Sequence, residues 1–281
     1  MSDTSVPQTP VLRFSEPVRA DLESSRPGLA DETEQMMSTH IRPCVAITSR
    51  RVSSLPLRRN PLVRFFGGST AEPKLDITES KFGGTPYSER GESWKGYSFL
   101  GQIDLARATS VLPPNAPKLS GLLRIDLGDS LLDIRVRWFR DINLDQACCL
   151  KIPSVGSWET KLDFKIGCTI PEGDALEAIW PIPEPQWYEY EQFFPTGFNS
   201  DGNNEFHRLL GHKSSGLDEA HMFASPSDDT NNIADYECLL RLTLDVEAGF
   251  DWGTNWIYLL VNRKDLLRGD LSQVVSAVAN S

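Results

Sequence analysis

Two adjacent glycines, Gly83 and Gly84, sit between Phe82 and the pair Thr85-Pro86 and mark a sharp backbone reversal. Glycine takes positive φ without steric cost, while Pro86 locks its own φ and pushes Thr85 into extended geometry. Ser80 to Tyr87 is therefore predicted as a sharp reversal docked at a sheet edge. The next run, Phe99 to Leu105, places apolar Phe99, Ile103 and Leu105 around polar Gln102 and Asp104 and predicts a short strand.

Other segments extend this pattern. Ile41 to Thr48 predicts a strand. Gly121–Leu127 and Leu131–Phe139 predict a strand pair turning at Gly128-Asp129, with Ile134, Val136 and Trp138 alternating against Arg135, Arg137 and Phe139. Trp158 to Ile166 predicts a further strand, and the prolines of Val111–Ser120 demand a loop. Ala175–Trp180 and Trp187–Phe194 read as helical turns between prolines. The apolar positions Leu266, Leu267, Leu271, Val274, Val275 and Val278 predict an amphipathic C-terminal helix over Asp265–Ala279. Residues 1–39 are polar, with a short helix around Val18–Leu22 as the one periodic stretch, and predict a largely disordered extension. The expected fold is α+β: one antiparallel-sheet-rich domain over residues 40–281 with peripheral helices.

A faint internal parallel predicts a pseudo-duplication. The turn Lys81–Gly84 leads to Leu100–Asp104 and then to Gly121–Ile125; Arg208–His212 leads to Leu239–Asp245 and then to Asn255–Leu260. Each half is a turn–strand–strand repeat, with halves at 40–165 and 166–281. A pseudo-two-fold arrangement would leave a groove between the turns, flanked by Lys81 and His212.

Charge is distributed unevenly. The chain of 281 residues carries a formal charge of −11. Residues 166–240 hold two basic and fourteen acidic residues, so the remainder is close to neutral. Aromatic residues are interleaved there, which either fill a core or join the acids in a contact surface for a basic partner. Residues 40–66 contain Arg42, Arg50, Arg51, Arg58, Arg59 and Arg64 and no acid. These arginines either pair with the chain's own carboxylates or touch phosphate; the net negative field opposes nucleic acid. Five cysteines without metal-ligand spacing imply neither a disulfide framework nor a metal, and no cofactor motif is present. With no apolar stretch of membrane-spanning length and a polar N-terminus, a cytoplasmic protein is expected.

The runs Ser80-Lys81-Phe82-Gly83-Gly84-Thr85-Pro86-Tyr87, Gly91-Glu92-Ser93-Trp94 and Leu100-Gly101-Gln102-Ile103-Asp104-Leu105 resemble the DUF1963, or YwqG-like, family. Ser120–Leu123, Leu209–His212, Leu239–Asp245, Asp251–Gly253, Trp256–Val261 and Asp265-Leu266 are similar to its later segments. The resemblance spans roughly residues 40–275 and implies a fold without an established activity. It also implies kinship with proteins encoded near bacterial toxin systems. The chain departs from the family pattern at Lys95, Arg241 and Thr254, where Pro, Gln and Asp are frequent.

Two functional expectations follow. One is a non-catalytic interaction protein, of the immunity or antitoxin kind, that binds a basic partner such as a toxin. Its surface would include Glu177, Glu184, Trp187, Tyr188, Glu189, Tyr190 and Glu191. The other is a small-ligand binder or enzyme using the groove between the repeats, with Lys81, Gln102, Asp104, His212, Asp251 and Trp252 as candidate groups. No nucleophile elbow, P-loop or dinucleotide fingerprint supports a particular reaction.

Overall fold

The computed structural model describes residues 16–54, 75–131, 133–148, 153–155, 158–171, 179, 197–199, 207–213, 222–223, 235–253 and 255–280. In chain order these form α1 (Glu16–Ser25), α2 (Leu29–His40), β1 (Arg42–Ser54), β2 (Lys81–Phe82), β3 (Ser98–Asp104), α3 (Leu105–Thr109), β4 (Leu122–Leu127) and β5 (Ile134–Phe139). There follow β6 (Trp158–Thr169), β7 (Gly197–Asn199), β8 (His207–Leu209), β9 (Met222–Phe223), β10 (Tyr236–Leu242), β11 (Asn255–Asn262), α4 (Arg263–Arg268) and β12 (Val275–Asn280). All the strands join one antiparallel sheet in the order β5-β4-β3-β2-β6-β1-β8-β10-β11-β12-β9, with β7 also on β6. The expected α+β, sheet-rich architecture is the one observed.

The β1–β6 ladder is the spine, running from Arg42 opposite Thr169 to Ser54 opposite Trp158. Cys44, Val45, Ala46 and Ile47 form a continuous apolar run because β1 is buried on both faces. Outward from this pair, β2, β3 and β4 on one flank mirror β8, β10 and β11 on the other. That order is what two repeats would produce, but helices fall differently on the flanks: α3 follows β3, whereas α4 follows β11. The order alone does not make the flanks copies.

One sheet face carries the main apolar core, including Val45, Ile47, Phe82, Ile103, Leu123, Leu162, Leu209, Leu240 and Leu259. The opposite face is polar on the first flank. There Lys161, Lys81, Gln102, Arg124 and Arg137 stand in register across β6, β2, β3, β4 and β5.

Three expectations require correction. Residues 16–40 are two helices, not a disordered extension. Leu22 of α1 and Leu29, Ala30 and Met37 of α2 pack on Cys168 of β6 and on Ile170 just beyond it. Arg19 ties the helices together through Asp31 and Glu34, both at 2.6 Å. Glu23 accepts from the backbone N–H groups of Gly28 and Ala30 where α2 begins. The polar composition that suggests disorder belongs to this network. The long C-terminal helix is instead α4 followed by β12. Asn262 caps its start, and Gly269, at φ 68°, closes it after Arg268. Val275–Asn280 then pairs with β11. The β4–β5 pair is as expected, but its turn is wider than Gly128-Asp129, closing with Gly128 N–H on the Asp133 carbonyl at 2.7 Å. Trp187–Phe194 lies outside the described residues, as does nearly all of Ala175–Trp180.

Candidate functional site

A dense network of hydrogen bonds and ion pairs lies where residues 75–97 cross the polar sheet face. The Gly-Gly turn makes the crossing possible. Gly83 and Gly84 have φ 66° and 76°, and a Cβ on Gly83 would stand 2.2 Å from the Trp158 carbonyl oxygen. The strap is then fixed by side chains projecting from the strands. Gln102 donates to the carbonyls of Ile77 and Glu79 at 2.6 and 2.9 Å and accepts from Tyr87 N–H at 2.9 Å. Lys81 Nζ donates to the Asp76 carbonyl at 2.8 Å and lies 3.6 Å from Glu159. Arg124 donates to the Tyr87 carbonyl at 2.6 Å, and Arg135 to that of Ser93 at 2.9 Å.

Arg124 is the centre of this assembly. Its side chain is fully buried, 2.8 Å from Glu92 and 3.3 Å from Asp126. The Trp94 ring covers its guanidinium at 4.1 Å. Glu92 also reaches Arg137 at 3.4 Å, and Arg135 grips Asp126 through two bonds at 2.9 and 3.0 Å. Burial lowers the pKa of Arg124 and raises that of Asp126, in each case against the opposing pull of the partner charges. Burial likewise lowers the pKa of Lys81, which Glu159 partly offsets. A polar cavity of about 560 Å³ opens beside the strap between Arg90, Glu92, Arg137 and Phe139.

The candidate ligand-groove residues do not assemble into one site. Lys81 and Gln102 are direct cross-strand neighbours, but their polar atoms hold the strap. Asp104 caps α3 by accepting from Arg107 N–H. Asp251 is exposed and accepts from Gly253 N–H in a local turn. Trp252 is buried and stacks on Phe250 at 5.0 Å. His212 bonds the His40 carbonyl through Nε2, and its N–H donates to Thr169 Oγ1 at 2.8 Å. Burial lowers the His212 pKa to about 4. Lys81 is opposite Lys161, whereas His212 is bonded to Thr169 of the same strand. At about 3.3 Å per residue, that separation is roughly 25 Å. The two residues therefore do not flank a shared groove. The partner-surface residues Glu177, Glu184, Trp187, Tyr188, Glu189, Tyr190 and Glu191 lie outside the described residues.

Two buried polar groupings were not anticipated from the sequence. The first is the Arg124–Glu92–Asp126 assembly. Its signal is present in the alternation of Arg124 and Asp126 with Arg135 and Arg137 on the paired strand. The second is the pair His207–Asp245. His207 Nδ1 accepts from Thr243 N–H at 2.9 Å, so its Nε2–H is directed to Asp245 at 2.8 Å. Burial opposes the Asp245 charge, but bonds from His207, Ser49 and Ala248 outweigh it and lower the pKa. Both imidazole nitrogens are occupied, and Phe82 packs edge-on to the ring at 5.0 Å. The pair ties the Asp245–Phe250 turn to the sheet and is not placed to abstract a proton.

Among the described residues, no group of three or more His, Cys, Asp or Glu is placed to hold a metal ion. None of the described helices is long and apolar enough to cross a membrane. A family model described as a domain of unknown function, DUF1963, matches residues 80–279. The chain belongs to the DUF1963 family. The DUF1963 match opens at Ser80, the residue before β2, and takes in the strap from that point on, the Arg124 assembly and the His207–Asp245 pair. The helices α1 and α2, and β1, which supplies half of the central ladder, precede the matched region. No curated protein matches the chain.

Proposed function

We propose that this DUF1963 protein is a non-catalytic interaction protein, of the immunity or antitoxin kind, that meets a basic protein partner through its acidic segment. One observation carries the reading: of the four ends of the two acid-rich connections, three lie at the Arg42 end of the sheet. The first leaves at the end of β6, where Thr169 pairs with Arg42. The second leaves after His212, which is bonded to Thr169. It returns just before Glu237, which is 2.9 Å from Arg42. These connections belong to the stretch 166–240, where fourteen acids face two basic residues in sequence count. A stretch with that excess of negative charge accelerates the approach of a cationic protein and orients it. The polar side chains of the family motifs also favour this reading, because they are bonded within the fold.

The test is capture by the full chain and by the triple variant Glu184→Gln, Glu189→Gln, Glu191→Gln, using source-cell extract at about 50 and about 300 mM salt. A defined basic protein held at low salt, and lost both on screening and in the triple variant, is the expected result. Equal capture by the triple variant, or no basic protein at all, would overturn the reading.

A further inference from the structure

A second cavity, of about 460 Å³, opens at the same end of the sheet as the acidic tethers. Its wall is largely apolar, with Ala116 and Pro117 from the loop before β4, Leu210 from the turn after β8, and Leu266 from α4. Arg42 and Arg263 stand at its mouth and share one carboxylate. Arg42 lies 2.9 Å from Glu237 Oε2, and Arg263 lies 2.7 Å from Glu237 Oε1. The charged side chains of the lining therefore sum to one excess positive charge. Both arginines are about half exposed, at 48% and 59%, while Glu237 is at 12%. Each guanidinium has further N–H donors beyond the bond it gives to Glu237.

The wall is also a strained part of the backbone. Leu210 has φ 66°, the sole non-glycine residue at positive φ among those described, and Gly211 follows at φ 100°. Leucine is costly in this region and is held there by Leu210 N–H on the Leu239 carbonyl at 2.9 Å. That conformation presents Leu210 to the cavity without filling it.

We propose that this cavity is a binding site for a small amphipathic carboxylate, whose apolar tail enters between Leu210 and Leu266 while its head bridges Arg42 and Arg263. The volume suits a small organic molecule, and the two guanidinium groups suit a single carboxylate. The cation excess selects against an amine of the same shape. This site does not depend on the partner-binding reading.

Octanoate serves as the probe, titrated calorimetrically into the full chain, with octylammonium and butanoate as controls. Octanoate is expected to bind, butanoate to bind at least about tenfold more weakly because less apolar surface is buried, and octylammonium not to bind. Arg42→Gln with Arg263→Gln should weaken octanoate by about tenfold or more, the loss of charge-assisted hydrogen bonds. Glu237→Gln should strengthen it by freeing both guanidinium groups, an effect that a merely structural carboxylate would not have. Ala116→Phe, a loop substitution that fills the cavity, should abolish binding while circular dichroism remains that of the native chain. Absence of octanoate binding, equal binding of octylammonium, or unchanged binding in Ala116→Phe would overturn the proposal.

Discussion

Replacing Arg124 by Met tests whether the strap is held by charge. Met keeps much of the apolar stem and removes the guanidinium. Four interactions disappear: the bond to the Tyr87 carbonyl at 2.6 Å, the contacts with Glu92 and Asp126 at 2.8 and 3.3 Å, and the Trp94 ring contact at 4.1 Å. Removing one member of a buried ion pair costs about 3–5 kcal/mol. The lower end applies here, because Glu92 retains Arg137 at 3.4 Å and Asp126 retains Arg135 at 2.9 Å. The ring contact adds about 1 kcal/mol. The expected loss is therefore about 4 kcal/mol, a large share of the roughly 5–15 kcal/mol that stabilises an ordinary domain. Urea unfolding followed by tryptophan fluorescence measures it. A second substitution, Glu92→Gln, removes the charge that Arg124→Met strands. It should cost more in the wild-type chain than in Arg124→Met, a coupling of about 1 kcal/mol or more. A loss below about 1 kcal/mol in Arg124→Met, or additive effects of the two substitutions, would refute the assignment of Arg124 as the strap's anchor.

Other outcomes follow from the same geometry. Gly83→Ala and Gly91→Ala both place a side chain at positive φ, but the first meets the Trp158 carbonyl at 2.2 Å and the second meets nothing within 4 Å. Gly83→Ala should cost at least about 3 kcal/mol and Gly91→Ala about 1 kcal/mol in the same unfolding assay. His212 should make the fold acid-sensitive. Its pKa of about 4 in the fold lies below the usual 6.5, so below that value the unfolded chain binds more protons. Its stabilising contribution is complete above pH about 6.5 and falls as pH drops towards 4, by up to about 3 kcal/mol. His212→Gln, unfolded by urea at a series of pH values, should flatten that part of the profile.

Local chemistry made much of the sheet legible. Pro86 and the paired glycines mark the strap's turn, and the alternation in Ile134–Phe139 marks β5. What the sequence concealed is separation across the sheet. Lys81 and Arg208–His212 open similar runs, which suggests a shared groove, but β6 spans twelve residues, and Lys81 opposite Lys161 and His212 bonded to Thr169 sit far apart along it. Arg124 and Asp126 alternate with apolar residues and so resemble the wet face of a strand. They are buried because residues 75–97 cover them, and nothing local to β4 reports that cover. A clue existed in Arg124 standing directly opposite Arg137. Two like charges in that relation need a shared counter-ion, which Glu92 supplies. The helices of residues 16–40 were hidden for a related reason: their apolar positions are few, and Arg19, Glu23, Asp31 and Glu34 stabilise the hairpin through pairing that composition does not reveal.

The central β1–β6 ladder sets the schedule on which this protein can be made. β1 is complete at Ser54, but its first ladder partner, Trp158, is translated 104 positions later, and its second neighbour begins at His207. At roughly 5–20 residues per second, the nascent strand waits on the order of 5–20 s before either edge is satisfied. Throughout that interval the ribosome carries a two-edged apolar segment, Cys44–Ile47, which is the kind of surface that chaperones shield and that neighbouring nascent chains can capture.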